Sequence, residues 1–227
     1  MAHAHGSHSP PATISKSASD AVARDLRRVF GERLTSLVAY GDEDDEGAHT
    51  LALVERLSFA DLARCAPLVP TWHRLGLATP LILTQDEFRR TLDVFPLEYG
   101  DIIARHLVIA GSNPFSSIAV PEADLRRGCE LQAKSHLIHL REGFLETHGD
   151  PPAIARMIAA SAPAFRALLQ NLERLEPGAG NRAGISDDLP AEVSGAADAT
   201  IAEPSALLSR YVAAVERLWQ YVDAWRQ

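Results

Sequence analysis

Residues 34 to 54 constrain the fold more than any other stretch. Leu34-Thr-Ser-Leu-Val-Ala-Tyr40 is an apolar run that stops at Gly41, crosses the acidic segment Asp42 to Glu46, and resumes as His49-Thr-Leu-Ala-Leu-Val54. Each run is short and bounded by glycine or acid, which reads as two consecutive strands rather than a core helix.

The chain before this stretch reads as a tail and one helix. Residues 1 to 18 are small, polar and proline-containing, with His3, His5 and His8, and are expected to be disordered. Asp20 is the expected N-cap of a helix whose face is Val22, Leu26, Val29 and Phe30, closed by Gly31. After the second strand, Ser58 and Asp61 form a capping-box pair ahead of Leu62, Cys65, Val69 and Trp72. Pro67 and Pro70 should kink or divide that helix, because each removes a backbone donor. Thr79 to Thr84 reads as a buried strand. Thr84 and Glu87 open a short helix by a second capping box. Val94 to Ile103 reads as a further extended segment, followed by an apolar run from Leu107 to Ala110 and a turn at Gly111-Ser-Asn-Pro114.

Strands and helices alternate to this point, which signals a mixed α/β layer. The pattern then changes. Leu125, Cys129, Ala133, Leu137, Leu140 and Phe144 mark one face of a long helix ended by Gly149. Asp150-Pro-Pro starts another, with Ile154, Ile158, Phe165, Leu169 and Leu172 on its face and Pro163 inside it. Residues 176 to 204 read as a loop with one short helix near Pro190 to Ala197. Ser205 is the expected cap of a last helix carrying Leu208, Tyr211, Val215, Leu218, Val222 and Trp225. The fold class expected is therefore α+β: a small mixed-sheet domain over residues 19–120 and an antiparallel helical bundle over residues 121–227.

Charge narrows the function. The formal net charge is −8 with no block of lysine and arginine, which argues against broad nucleic-acid binding. No apolar run approaches the ~20 residues that span a bilayer, and the N-terminus lacks the apolar centre of a signal peptide. Cys65 and Cys129 have neither a disulfide nor a metal spacing, so both read as small core hydrophobes in a cytoplasmic protein.

The order of elements, Tyr40-Gly41 after a strand, and the stretch Leu92-Asp-Val-Phe-Pro-Leu-Glu-Tyr-Gly-Asp-Ile102 resemble nucleotidyltransferases of the kanamycin and minimal type. Those pair a catalytic α/β domain with a C-terminal bundle, and the resemblance runs from about Ser19 to Trp225. It implies two Mg²⁺ ions held by carboxylates, a Gly-Ser turn after the first strand, an Asp-x-Asp pair on the second, and a third acid on a later strand. This chain departs from that pattern. Gly41 matches the glycine of a nucleotide-binding turn, but Asp42 stands at the serine. The second strand has no carboxylate at either parity. Asp101 and Glu98 are the remaining candidates for the third catalytic acid, with Asp101 the candidate metal ligand.

The resemblance thus implies a nucleotidyltransferase fold that has lost transfer and binds a nucleotide in its cleft or a protein partner. No cofactor is certain; Mg²⁺ is implied only if the protein is active. One alternative is an active Mg²⁺-dependent enzyme with a rearranged site built from Asp101, Glu98 and the acidic loop. In the other, Arg141 and His148, seven apart, resemble the Arg-x(4–6)-His signature of ribonucleases built on helical bundles at the outer limit of its spacing, with the histidine as acid or base. Each candidate has a plain structural reading beside it. The acidic loop reads as solvated, and His148 as a helix-terminal residue. Asp93, Glu98 and Asp101 read as caps or as partners of Arg89, Arg90 or Arg105. As a regular strand, the 94–103 segment would put Asp93, Tyr99 and Asp101 on one face. His136 and His139 have ligand-like spacing with no third ligand evident. Trp219, Tyr211 and Trp225 suit either an interface or the bundle core.

Overall fold

The computed structural model describes residues 14–41, 47–197 and 203–225. The chain falls into two compact units, Met1–Val120 and Pro121–Gln227.

The first unit starts with helix α1, Lys16–Phe30, whose cap lies five residues earlier than the sequence suggests. Ser15, not Asp20, is the N-cap: its side chain accepts the Ala18 N–H. Gly31 closes the helix at φ 58, a backbone conformation that suits glycine. Strands β1, Leu34–Tyr40, and β2, His49–Val54, follow with the expected bounds and pair antiparallel. The reciprocal Ser58–Asp61 box opens α2, Phe59–Cys65. A short 3-10 turn then leads into α3, Val69–Arg74, so the two prolines divide the expected helix. Strand β3 is only Leu81–Thr84, since Pro80 offers no ladder donor. Helix α4, Gln85–Arg90, is capped by Thr84 and Glu87 as expected.

Residues 94–103 are not extended. They contribute most of helix α5, Pro96–Ala104, with Pro96 in its first turn and Glu98 beside the positive end of the helix dipole. The apolar run after it is strand β4, His106–Gly111. The sheet order is β3-β2-β1-β4, with β2 and β3 parallel and the other pairs antiparallel. Both faces of the sheet are covered. One face packs Leu37, Ala52, Val54 and Ala110 against α1 and Trp72. The other packs Val38, Leu51 and Leu53 against Phe88, Tyr99, Ile102 and Phe115.

The second unit holds three long helices: α6, Glu122–Glu146, α7, Pro151–Leu175, and, after two short ones, α10, Pro204–Ala224. The short helices are α8, Ala179–Arg182, and α9, Leu189–Ser194, so the 176–204 segment holds more structure than one helix. Asp150 caps α7 through the Ala153 N–H. Glu203, not Ser205, occupies the cap position of α10, and Pro204 takes its first turn. Helices α6 and α7 are antiparallel: Asn171 donates to Gln132 at 3.1 Å, while Met157 abuts Gly143 further along. Helices α7 and α10 run the same way, with Ser161 near Tyr211 and Glu176 near Tyr221. The 176–203 segment makes this possible by returning the chain along α7, where Ser194 receives Arg166. Among the expected face residues, Phe144 is exposed and Leu168 is buried in place of Leu169.

Candidate functional site

The turn after β1 is the position that the sequence singles out. Gly41 is buried and has φ 106, which a side chain disfavours. Asp42 and the rest of the acidic loop to Glu46 lie outside the described residues. Across the turn Tyr40 pairs with His49, their ring centroids 5.6 Å apart.

Strand β2 would supply the paired carboxylates. Its side chains alternate between the two covered faces: Leu51 and Leu53 enter one apolar cluster, Ala52 and Val54 the other. All four are fully or almost fully buried. Thr50, also buried, has a hydroxyl with no hydrogen-bond partner among the described residues. The missing acids are therefore not displaced by one position; apolar side chains occupy the ground on both sides.

Asp101 sits on α5, not on a strand. Its Oδ1 accepts from Arg105 Nε at 2.9 Å and Nη2 at 2.6 Å. Glu98 is exposed in the first turn of the same helix. Asp93 is exposed before it, and because the segment is helical, Asp93, Tyr99 and Asp101 do not form the shared face of a strand. Tyr99 and Ile102 are buried in the sheet-facing cluster, and Ile103 packs against it. Among the described residues, no three histidine, cysteine, aspartate or glutamate side chains converge for a metal. As placed, Asp93, Glu98 and Asp101 do not present the converging oxygens that the Mg²⁺ pair of nucleotidyl transfer requires.

One tightly held carboxylate is a residue the sequence marks only as a cap. Asp61 is buried and accepts both Arg33 Nη groups at 3.0 and 2.8 Å, the Ser58 amide at 3.0 Å and the Ser58 hydroxyl at 2.8 Å. Arg64 adds a further ion pair. The Arg33 and Ser58 hydrogen bonds hold its carboxyl far below the usual carboxylate range. The Ser58 and Arg64 contacts hold the N-terminus of α2 together, and the two Arg33 bonds tie it to the turn before β1, which is a structural role. Arg33 is visible in the sequence, but nothing local signals that it reaches residue 61.

In the bundle, Arg141 Nη2 donates to Glu216 on α10 at 3.1 Å. His148 is exposed beyond the end of α6, at φ 51. His136 and His139 do not share a ligand. His136 is buried with its Nε2 2.6 Å from the Tyr211 hydroxyl, whereas His139 is exposed beside Glu142. Burial lowers His136 to about 4, helped by His139, so its imidazole is neutral near neutral pH. Ser161 Oγ completes the cluster, 3.2 Å from the Tyr211 oxygen. Tyr211 is therefore core. Trp219 carries Lys134 over its ring, the ammonium 3.5 Å from the centroid, and Trp225 stacks edge-on with Tyr221. Cys65 and Cys129 are buried and free, with burial raising both thiols, Cys129 to about 12.

A helix-flanked four-stranded mixed sheet followed by a helical unit is the α+β architecture of nucleotidyltransferase-like proteins, and the chain has that fold. Spectinomycin adenyltransferase AAD(9) from Enterococcus faecialis, solved with ATP and spectinomycin, matches it with a TM-score of 0.52 at 10% identity. The match covers 90% of this chain and 99% of that one. The likeness is one of fold. No family model matches the sequence, and no curated protein does. Among the described residues no helix is long and apolar enough to cross a membrane.

Proposed function

We propose that this protein keeps the nucleotidyltransferase fold without its transfer chemistry, and acts by binding a nucleotide or a protein partner. The observation that carries the reading is β2. Leu51 and Leu53 fill one face, Ala52 and Val54 the other, and β2 itself offers no carboxylate to hold a metal against a triphosphate. Asp101 supports the same reading, because Arg105 already offsets its charge. The two buried thiols fit a reducing compartment, so the reading includes a cytoplasmic protein. The structural neighbour was solved with ATP, which makes nucleoside triphosphates the first ligands to test.

The test combines two measurements on the full chain. Melting temperature is recorded with each nucleoside triphosphate, with and without Mg²⁺, because a ligand selective for the folded state raises it by mass action. Transfer from α-labelled triphosphate to a panel of acceptors is measured in parallel. A shift without transfer identifies a nucleotide-binding protein. The absence of both directs the search to a protein partner. Transfer that an Asp101→Asn change abolishes would overturn the reading.

A further inference from the structure

We propose that the open edge of β4 and the flank of α1 form a docking groove for an extended acidic segment of a partner protein, added to the sheet as a fifth strand. This does not depend on whether transfer chemistry has been lost, because no residue of the nucleotide turn or of β2 lines the groove.

The first observation is the edge itself. β4 ends the sheet order, and among the described residues its only strand partner is β1. An antiparallel edge strand directs alternate N–H and C=O groups outward, where an extended chain can pair with them. The edge is also apolar: Leu107 is 47% exposed, in a position where lysine or proline would ordinarily discourage pairing.

The second observation is the groove beside it, about 580 Å³ between α1 and β4. Lys16, Ser19, Asp20, Ala23, Arg24 and Arg27 line it from α1, a single helical stripe. From Lys16 to Arg27 the helix rises roughly 16 Å, the length of about five residues of extended chain. The walls thus match a short strand in length as well as in shape.

Charge selects the occupant. Three of the α1 lining residues are cations and Asp20 is the single acid, on a chain whose formal net charge is −8. Arg24 approaches Asp25 only at 3.7 Å and remains 63% exposed. The Asp25 carboxylate is buried and accepts the Trp72 indole N–H at 3.1 Å, so it faces the core rather than the groove. An extended peptide presents alternate side chains to one side. Acids at every second position would meet Lys16, Arg24 and Arg27 while the backbone paired with β4. A second copy fits less well. Pairing β4 with β4 about a twofold axis normal to the sheet would set two α1 helices side by side and oppose like cations across the seam.

The test uses the full chain and a fluorescently labelled peptide of alternating valine and glutamate, read by anisotropy. Three comparison peptides carry lysine for glutamate, N-methyl groups at alternate backbone positions, or the same residues in scrambled order. Saturable binding is expected for the alternating glutamate peptide alone. The Arg24→Glu/Arg27→Glu protein should bind it at least about tenfold more weakly, because both changes place like charge against the ligand. Its melting temperature is compared with that of the unmodified protein to show that it folds. The N-methylated peptide probes strand pairing without altering the protein. No binding of the glutamate peptide, equal binding of the lysine peptide, or full binding of the N-methylated one would overturn the proposal. So would self-association by light scattering that competes with the peptide, since it would make a second copy the occupant.

Discussion

Asp101 and Arg105 stand four residues apart on α5, and one carboxylate oxygen receives two guanidinium N–H groups at 2.9 and 2.6 Å. This is the geometry of an i,i+4 ion pair on a helix. The side chains are 27% and 16% exposed, so water screens the pair only in part. Replacing Asp101 by Asn should cost about 0.2–1 kcal/mol of stability and leave any nucleotide response unchanged. Denaturant midpoints, together with melting scans in ATP and Mg²⁺, check both halves. Loss of a Mg²⁺-dependent shift in the variant would restore Asp101 as a ligand.

The covered faces of β2 make a sharper prediction. In an open catalytic cleft, Leu51 and Leu53 would face solvent or ligand, and changes there would be cheap. Both are buried against Phe88, Tyr99 and Ile102. Leu53→Ala should therefore cost about 2–5 kcal/mol, and Leu51→Asp, which buries an unpaired carboxylate, more than that. Urea unfolding gives the first value directly. Soluble, fully folded Leu51→Asp protein would mean that this face opens.

The strands were the most legible part of the chain because glycine and acidic residues bound both apolar runs. Their bounds agree with the sequence reading at Leu34, Tyr40, His49 and Val54. The capping boxes at Ser58 and Thr84 were equally legible, since a box is a local pattern with fixed spacing. Residues 94–103 misled for a physical reason. Val94, Phe95, Leu97, Tyr99, Ile102 and Ile103 satisfy no single period, and Gly100 weakens the helical signal. Tertiary burial of Tyr99 and Ile102 against the sheet favours the helix, and Pro96 was the local cue to its start. Candidate site residues were harder still. A sequence shows that β2 lacks acids, but not that apolar neighbours cover it from both sides. Nor does it show that Arg33 closes on Asp61, or that β4 ends the sheet order among the described residues, beside α1.

Gly111 is a position where backbone geometry allows no substitute. It ends β4 at φ 79, and an added Cβ would lie 2.1 Å from the Thr35 carbonyl oxygen on β1. Backbone conformation alone should cost Gly111→Ala about 1–3 kcal/mol, and the clash adds to that by separating Ser36 from its partner. Ser36 Oγ, which donates to the Ser112 carbonyl at 2.8 Å, would lose its acceptor as well. Gly149 is the control: it too has positive φ, yet a Cβ there meets nothing within 4 Å. Gly149→Ala should fall within the conformational range, so the difference between the two melting temperatures isolates the clash.

The buried His136 ties the stability of the bundle to pH. Its neighbours within the core are the Tyr211 hydroxyl, the Phe165 ring stacked 6.1 Å away, and Ser161 through the tyrosine. None of these offers a negative charge to an imidazolium. The unfolded chain takes up the His136 proton near pH 6.5, the folded chain only near 4. Between those values the unfolded state binds more protons, so stability falls as pH falls. The contribution is fully present above about pH 6.5 and lost progressively toward pH 4, up to about 3 kcal/mol. Urea unfolding at intervals from pH 7 to pH 4 measures the slope, and the same series on His136→Gln removes this one titration while retaining an acceptor for Tyr211. The variant should lose less stability across the window, whatever its stability at pH 7. Identical slopes would mean that His136 binds its proton equally well in both states, and that the core around Tyr211 admits the charge.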